Sequence, residues 1–187
     1  MGTDSQRGVV AVEFALCIIV FLMMVFATIE YARMMYLWNT QQEVVRRAAR
    51  AAATANFADA GAMQALRLSA LFRADDGALV LAPGVTPDVL RIEYLSLSAA
   101  GTLAPLPVLP GCPARNVVNC NSNPYGASCI RFVRVRLCAD GAGAGGCPPL
   151  PYERLMPLVP VPAQLPPSTL TMRAESLGFR PSDALCP

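Results

Sequence analysis

The sequence predicts an α+β protein: a long N-terminal transmembrane helix with an amphipathic extension, then a small domain with a three-stranded, mainly antiparallel sheet and disulfide-stapled Pro-rich loops. Three observations predict it. Gly8 to Ile29, GVVAVEFALCIIVFLMMVFATI, is a glycine followed by 21 residues whose only charge is Glu13. Three later stretches alternate apolar and polar side chains with a period of two. Six of the 7 cysteines follow residue 111, and eight prolines crowd residues 148–167.

The first element follows from length. A helix rises about 1.5 Å per residue, so about 20 apolar residues cross a hydrocarbon core of about 30 Å. Gly8 to Ile29 therefore reads as one membrane-spanning helix. The apolar run exceeds the roughly 7 to 15 residues of a removable signal core, and only MGTDSQR precedes it. A charge such as Glu13 near mid-bilayer would cost on the order of 3 kcal/mol, and less near the interface, so it calls for a partner or a purpose. Cys17, inside the run, reads as a small buried apolar residue.

The helix continues past the apolar run. Glu43, Arg46, Arg47 and Arg50 share one face, while Leu37, Gln41, Val44, Val45, Ala48 and Ala52 lie largely on another. Glu43 can pair with Arg46 or Arg47 for a few tenths of a kcal/mol each, so these charges read as a solvated face. The alanines from Ala48 to Ala55 favour helix and permit close packing. From Val9 to about Ala55 the helix would be on the order of 70 Å long. Met23, Met24, Met34 and Met35 read as flexible apolar packing rather than a metal stripe. Glu30, at the far membrane boundary, would snorkel or pair with Arg33. A second helix is expected from about Asp59 to Phe72, with Asp59 as N-cap and Asp75-Asp76-Gly77 as terminator.

Three strands complete the pattern. Residues 89–97 put Leu90, Ile92 and Tyr94 opposite Arg91 and Glu93. Residues 130–138 put Val133, Val135 and Leu137 opposite Arg134 and Arg136. Residues 169–177 put Leu170, Met172 and Ala174 opposite Thr171, Arg173 and Glu175. Such alternation means one buried and one wet sheet face, with helix covering the buried one. The intervening stretches, 105–128 and 139–168, are expected to be long loops, the second too rich in proline for helix or central strand.

Cys112, Cys120, Cys129, Cys138, Cys147 and Cys186 form an even set in a small loop-rich domain, which argues for disulfides and an oxidising compartment. Six cysteines allow 15 pairings, and the sequence leaves the choice open. Sequence-local pairs, Cys112 with Cys120 or Cys138 with Cys147, are the expected ones. A metal site is disfavoured because there is no CxxC motif and no histidine at all. Enzyme chemistry and a cofactor lack support for related reasons: no histidine base, no phosphate-binding glycine loop, no HExxH or GxSxG. The formal charge of +2 implies no field for nucleic acid. All 15 basic residues are arginine.

The N-terminal residues carry a resemblance. A short polar leader ending in Gly8, four apolar residues (Val9-Val10-Ala11-Val12), Glu13, the aromatic Phe14 and a long apolar helix resemble the processing site of type IV prepilins. With IEYAR at residues 29–33 and the following NTQQEVVRRAARAAA, the segment from about residue 7 to 53 is most similar to TadE-type pseudopilins of the tight-adherence (Tad/Flp, type IVb) pilus. Phe14 stands where that pattern more often has Tyr. The resemblance implies cleavage between Gly8 and Val9 by a prepilin peptidase. It also implies a Glu13 that pairs with the freed Val9 amine of a neighbouring subunit, and partners among the other Tad pilins, the assembly platform and the inner membrane.

On this reading residues 1–8 are the leader, 9–31 the transmembrane helix, 32–73 the amphipathic extension and second helix, and 74–187 the periplasmic disulfide-rich region. Arg33, Arg46, Arg47 and Arg50 follow the helix against Arg7 before it, which by a simple positive-inside count would face the domain to the cytoplasm. The cysteines and the resemblance point to the periplasm instead. The expected role is a minor pilin or pseudopilin in Flp pilus assembly, in the filament, at its base or tip, or in the assembly machine. The alternatives are an uncleaved single-pass periplasmic binding or sensor module, a TadF-like or secretion-system pseudopilin, and a membrane-tethered enzyme with an unrecognised site.

Overall fold

A computed structural model describes residues 4–79, 82–139, 146–157, 159–182 and 184–186, with backbone only for residues 4–7. Residues 1–3 and the glycine-rich segment 140–145 lie outside the described residues.

Helix α1 runs unbroken from Asp4 to Thr54, 51 residues, roughly 75 Å at 1.5 Å per residue. Its two halves meet different surroundings. Residues 8–24 are all exposed. From Leu37 onward one stripe is buried: Val44, Val45, Ala48, Ala49 and Ala52. The alanines are the means of approach, since a side chain of one carbon lets the helix axis lie close against the sheet. The valines supply area, each buried side chain contributing about 1.5–3 kcal/mol relative to exposure.

The sheet has four antiparallel strands in the order β2-β1-β3-β4. These are β1 Leu90–Leu97, β2 Leu103–Pro105, β3 Phe132–Leu137 and β4 Thr169–Arg173. Cross-strand pairs carry out the alternation: Leu90 faces Leu137, Ile92 faces Val135 and Tyr94 faces Val133, while Val133 and Val135 face Met172 and Leu170. That face packs under α1. On the other face Glu93 lies directly opposite Arg134 and takes guanidinium hydrogen bonds from Arg134 at 2.8 Å and from Arg136. Burial alone would raise the Glu93 carboxyl, but the Arg136 and Arg134 hydrogen bonds outweigh it and hold the group below its ordinary value of 4.5.

The sheet corrects the expected three strands to four. Strand β2 spans three residues and ends in proline, too short to show any alternation, and pairs only as an edge to β1. A tight turn joins them, with Gly101 at φ +81° and its N–H on the Ser98 carbonyl at 2.9 Å.

Two helices flank the sheet. Helix α2, Ala60–Ala70, starts where expected: the Asp59 carboxylate accepts the Ala62 N–H at 3.0 Å as N-cap. Helix α3, Pro113–Ser122, lies inside the stretch expected to be a loop. Its four asparagine and serine residues are weak helix formers, which hid it. What holds it is covalent: Cys112 at its N-cap bonds to Cys186, and Cys120 in its last turn bonds to Cys129. Pro113 takes the first helical position, where its missing N–H is no loss. The expected Cys112–Cys120 pair is thus corrected: a helix now separates the two, and Cys112 reaches 74 residues along the chain. Cys138 bonds to Cys147, clasping the segment that follows β3.

The turn that follows β4 closes on the end of α1. Glu175 and Leu177 donate backbone N–H groups to the Ala53 carbonyl at 3.0 and 3.1 Å, satisfying an acceptor that a helix C-terminus leaves bare. Gly178 follows at φ +82°, so close to Asn56 that a Cβ there would stand 2.7 Å from its backbone nitrogen. Only glycine fits.

Candidate functional site

Two regions of α1 carry acidic groups in or beside its apolar run. The first is its N-terminal end. Gly8, Val9, Glu13 and Phe14 all sit on the helix, all exposed. No heavy atom lies within 4 Å of a Cβ built at Gly8, so packing within the chain does not ask for glycine there. Val9 and Phe14 are 63% and 67% exposed. Glu13 follows Val9 by one helical turn, four residues on, so its carboxylate stands over the same side of the helix as the Val9 position. The apolar half of α1 thus offers an uncovered surface with one acid in it. The free Cys17 is exposed on that surface as well.

The second region is the junction at Glu30, where the proline-rich segment returns to the helix. Glu30 is 1% exposed. The Tyr152 hydroxyl donates to its Oε1 at 2.8 Å, and the Leu155 backbone N–H donates to the same oxygen at 3.2 Å. Arg33, one turn along, stands 3.9 Å from Oε1. It donates to the Glu153 carbonyl at 2.6 Å and lies over the Tyr152 ring, 5.2 Å from its centre. Burial, and then the neighbouring Glu30 carboxylate, push the Tyr152 phenol above its ordinary value of 10.0, so it stays a donor. Sequence reading placed Glu30 with Arg33 but missed Tyr152 and Leu155. Nothing in local spacing announces a partner 122 residues away.

A second tether lies a little over three turns beyond Glu30. Gln42 donates to the Ser168 hydroxyl at 3.1 Å, and Ser168 is 2% exposed against the buried Gln41. The proline-rich segment is therefore fastened to α1 at both ends, by Glu30 near its start and by Ser168 at its close. Leu150, just before Tyr152, and Leu165, between the two tethers, enter the common core. Among the described residues no group of three metal-ligating side chains is gathered.

The described chain contains one helix long and apolar enough to cross a membrane, Gly8–Thr54, with a mean hydropathy of 2.9 over its most apolar window and none of that window buried. Residues 8–50 match the family model described as TadE-like protein. This is the segment that holds Glu13, Glu30 and the apolar half of α1. The match supports a structural, pseudopilin-type role in a Tad pilus, in association with the membrane and with pilus components. The TadE-like segment ends within α1, before the sheet begins. No curated protein and no solved structure matches the chain.

Proposed function

We propose that this protein is a minor pilin or pseudopilin of the tight-adherence pilus, made with a cytoplasmic N-terminus and a periplasmic domain. Residues 1–8 are the leader, 9–31 the transmembrane helix, 32–73 the amphipathic extension and second helix, and 74–187 the disulfide-bonded region. A prepilin peptidase cuts between Gly8 and Val9. The observation that carries this reading is Glu13: one exposed carboxylate, one turn after Val9, on an otherwise apolar and uncovered helix half that coincides with the TadE-like match.

The chemistry is that of a recruitable charge. Cleavage would leave a cationic amine at Val9, at the positive end of a helix and at the edge of an apolar layer. A carboxylate on a neighbouring copy neutralises it, and each charge is tolerable in low dielectric chiefly because the other is there. Gly8 also eases the cut, because glycine lowers helix stability by about 1 kcal/mol relative to alanine and so lets the helix open there for the peptidase. The oxidised cysteines favour the periplasm for the domain.

Two substitutions test the reading. Gly8→Arg in cells with the prepilin peptidase should leave a chain of full length, whereas normal processing would argue against the site. Glu13→Gln should be processed normally yet recovered in much lower yield with the other pilus components. Equal recovery would remove the role given to Glu13.

A further inference from the structure

The proline-rich segment does more than close the domain. Past Tyr152 it runs down α1, and Met156, Val159 and Pro160 line an apolar crevice of about 300 Å³ with Met23, Phe26 and Ala27 of the helix. Those helix residues belong to the apolar run itself. Met23 lies six residues before Ile29, about 9 Å along the axis, and Phe26 about 5 Å. Whatever touches them stands at the same height. We propose that residues 155–157 and 159–160 are membrane-seated, inserted among the headgroups and upper acyl chains of the leaflet on the domain side.

Composition and hydrogen bonding both suit that surrounding. From Leu155 to Met172 the sequence has no charged residue, while Glu153 and Arg154 just before it are exposed. Leu155 is 59% exposed and Met156 37%, large apolar surfaces that the domain leaves uncovered. Irregular backbone is tolerated beside lipid only when its polar groups are satisfied within the protein. Among the described residues here, three N–H groups find acceptors within the chain: Leu155 donates to Glu30, Val159 to the Met156 carbonyl at 3.2 Å and Val161 to the Val159 carbonyl at 2.9 Å. Pro157, Pro160 and Pro162 have no N–H to satisfy. The prolines thus have a reason beyond stiffness: they remove donors from a stretch that lies at lipid depth. Tyr31, 57% exposed one residue beyond Glu30, stands at the interfacial level where aromatic side chains gather. The domain would then rest on the bilayer rather than stand away from it on α1.

The inference rests on residues 9–29 spanning the membrane, and the test separates the two. Full-length protein is placed in nanodiscs of mixed phosphatidylcholine and phosphatidylglycerol, with a nitroxide on one cysteine at a time and the six others left in their disulfides. The native Cys17 reports the span. In a Cys17→Ser background, Leu155→Cys and Met156→Cys report the loop, and Val108→Cys, at a site 76% exposed, reports open water. Collision with oxygen is compared with collision with a water-soluble nickel chelate. The loop labels should favour oxygen and show several-fold lower nickel accessibility than Val108→Cys. Nickel accessibility equal to that of Val108→Cys, with Cys17 in hydrocarbon, overturns the loop proposal and leaves the span intact. A water-exposed Cys17 overturns both. Spectral broadening at Leu155→Cys that disappears on dilution with unlabelled protein means a second copy covers the loop, and also overturns it.

Discussion

Tyr152 donates its phenolic hydrogen to Glu30 at 2.8 Å, joining the membrane-proximal turn of α1 to a residue 122 positions later in the chain. The contact fixes where the proline-rich segment meets the helix, because Glu30 is the first residue after the apolar run and Tyr152 begins the stretch that descends beside it. Tyr152→Phe keeps the ring and removes the donor, leaving the buried Oε1 with the Leu155 N–H and the more distant Arg33 guanidinium. It should lower stability by about 1–3 kcal/mol. Amide exchange of residues 152–157 should quicken while exchange in β1 and β3 stays slow. Uniform quickening across the sheet would mean that the contact supports the whole domain rather than the junction.

Gly178→Ala meets two obstacles at once, a positive φ and a backbone nitrogen 2.7 Å from the new Cβ. The tail would have to lift from the end of α1, releasing the Ala53 carbonyl. Chemical denaturation should show a loss of about 2 kcal/mol or more, against a loss near zero for the same change at Gly84, where nothing lies within 4 Å.

Glu93 ties stability to acid. Its folded value lies below 4.5, so its contribution is complete above the ordinary carboxylate range and is lost as pH falls through the folded value. Glu93→Gln should therefore melt below wild type at pH 7, by the equivalent of about 1–2 kcal/mol, and the gap should narrow below pH 4.5. At the alkaline end burial pushes Tyr94 up to about 12, so stability present below its ordinary value of 10.0 falls away between the two. Tyr94→Phe should flatten that limb of the melting curve.

The disulfides should rank by the chain they close. Removing Cys112–Cys186, with a separation of 74, releases a far larger loop than removing Cys120–Cys129, with a separation of 9. Loop entropy gives about 4.5 kcal/mol for the first and about 2.5 kcal/mol for the second. Paired serine variants, compared by urea denaturation, check the order. Loss of either should also cost helical signal, because α3 is held at both ends by these bonds.

Much of this architecture could be read before any fold was known, wherever one residue's neighbours in sequence are its neighbours in space. The apolar run, the Asp59 cap and the alternation of Val133, Val135 and Leu137 are signals of that kind. The rest depends on contacts between distant segments. Strand β2 is three residues ending in Pro105, and only its pairing to β1 makes it a strand. Helix α3 is written in Pro113 and asparagines and is anchored by two disulfides to residues distant from it or beyond its end. Around Glu30, the local partner Arg33 was legible from a separation of three residues, but Tyr152 and Leu155 were not. At the N-terminal end the spacing of Gly8 and Glu13 comes from the sequence itself, and the fold adds that among the described residues none covers them.

The most direct test is the mass of the mature N-terminus, measured on membrane-extracted protein expressed with and without a prepilin peptidase. A chain that begins at Val9 only when the peptidase is present is the expected result. A chain that keeps residues 1–8 under both conditions would contradict the account and make this an ordinary anchored protein.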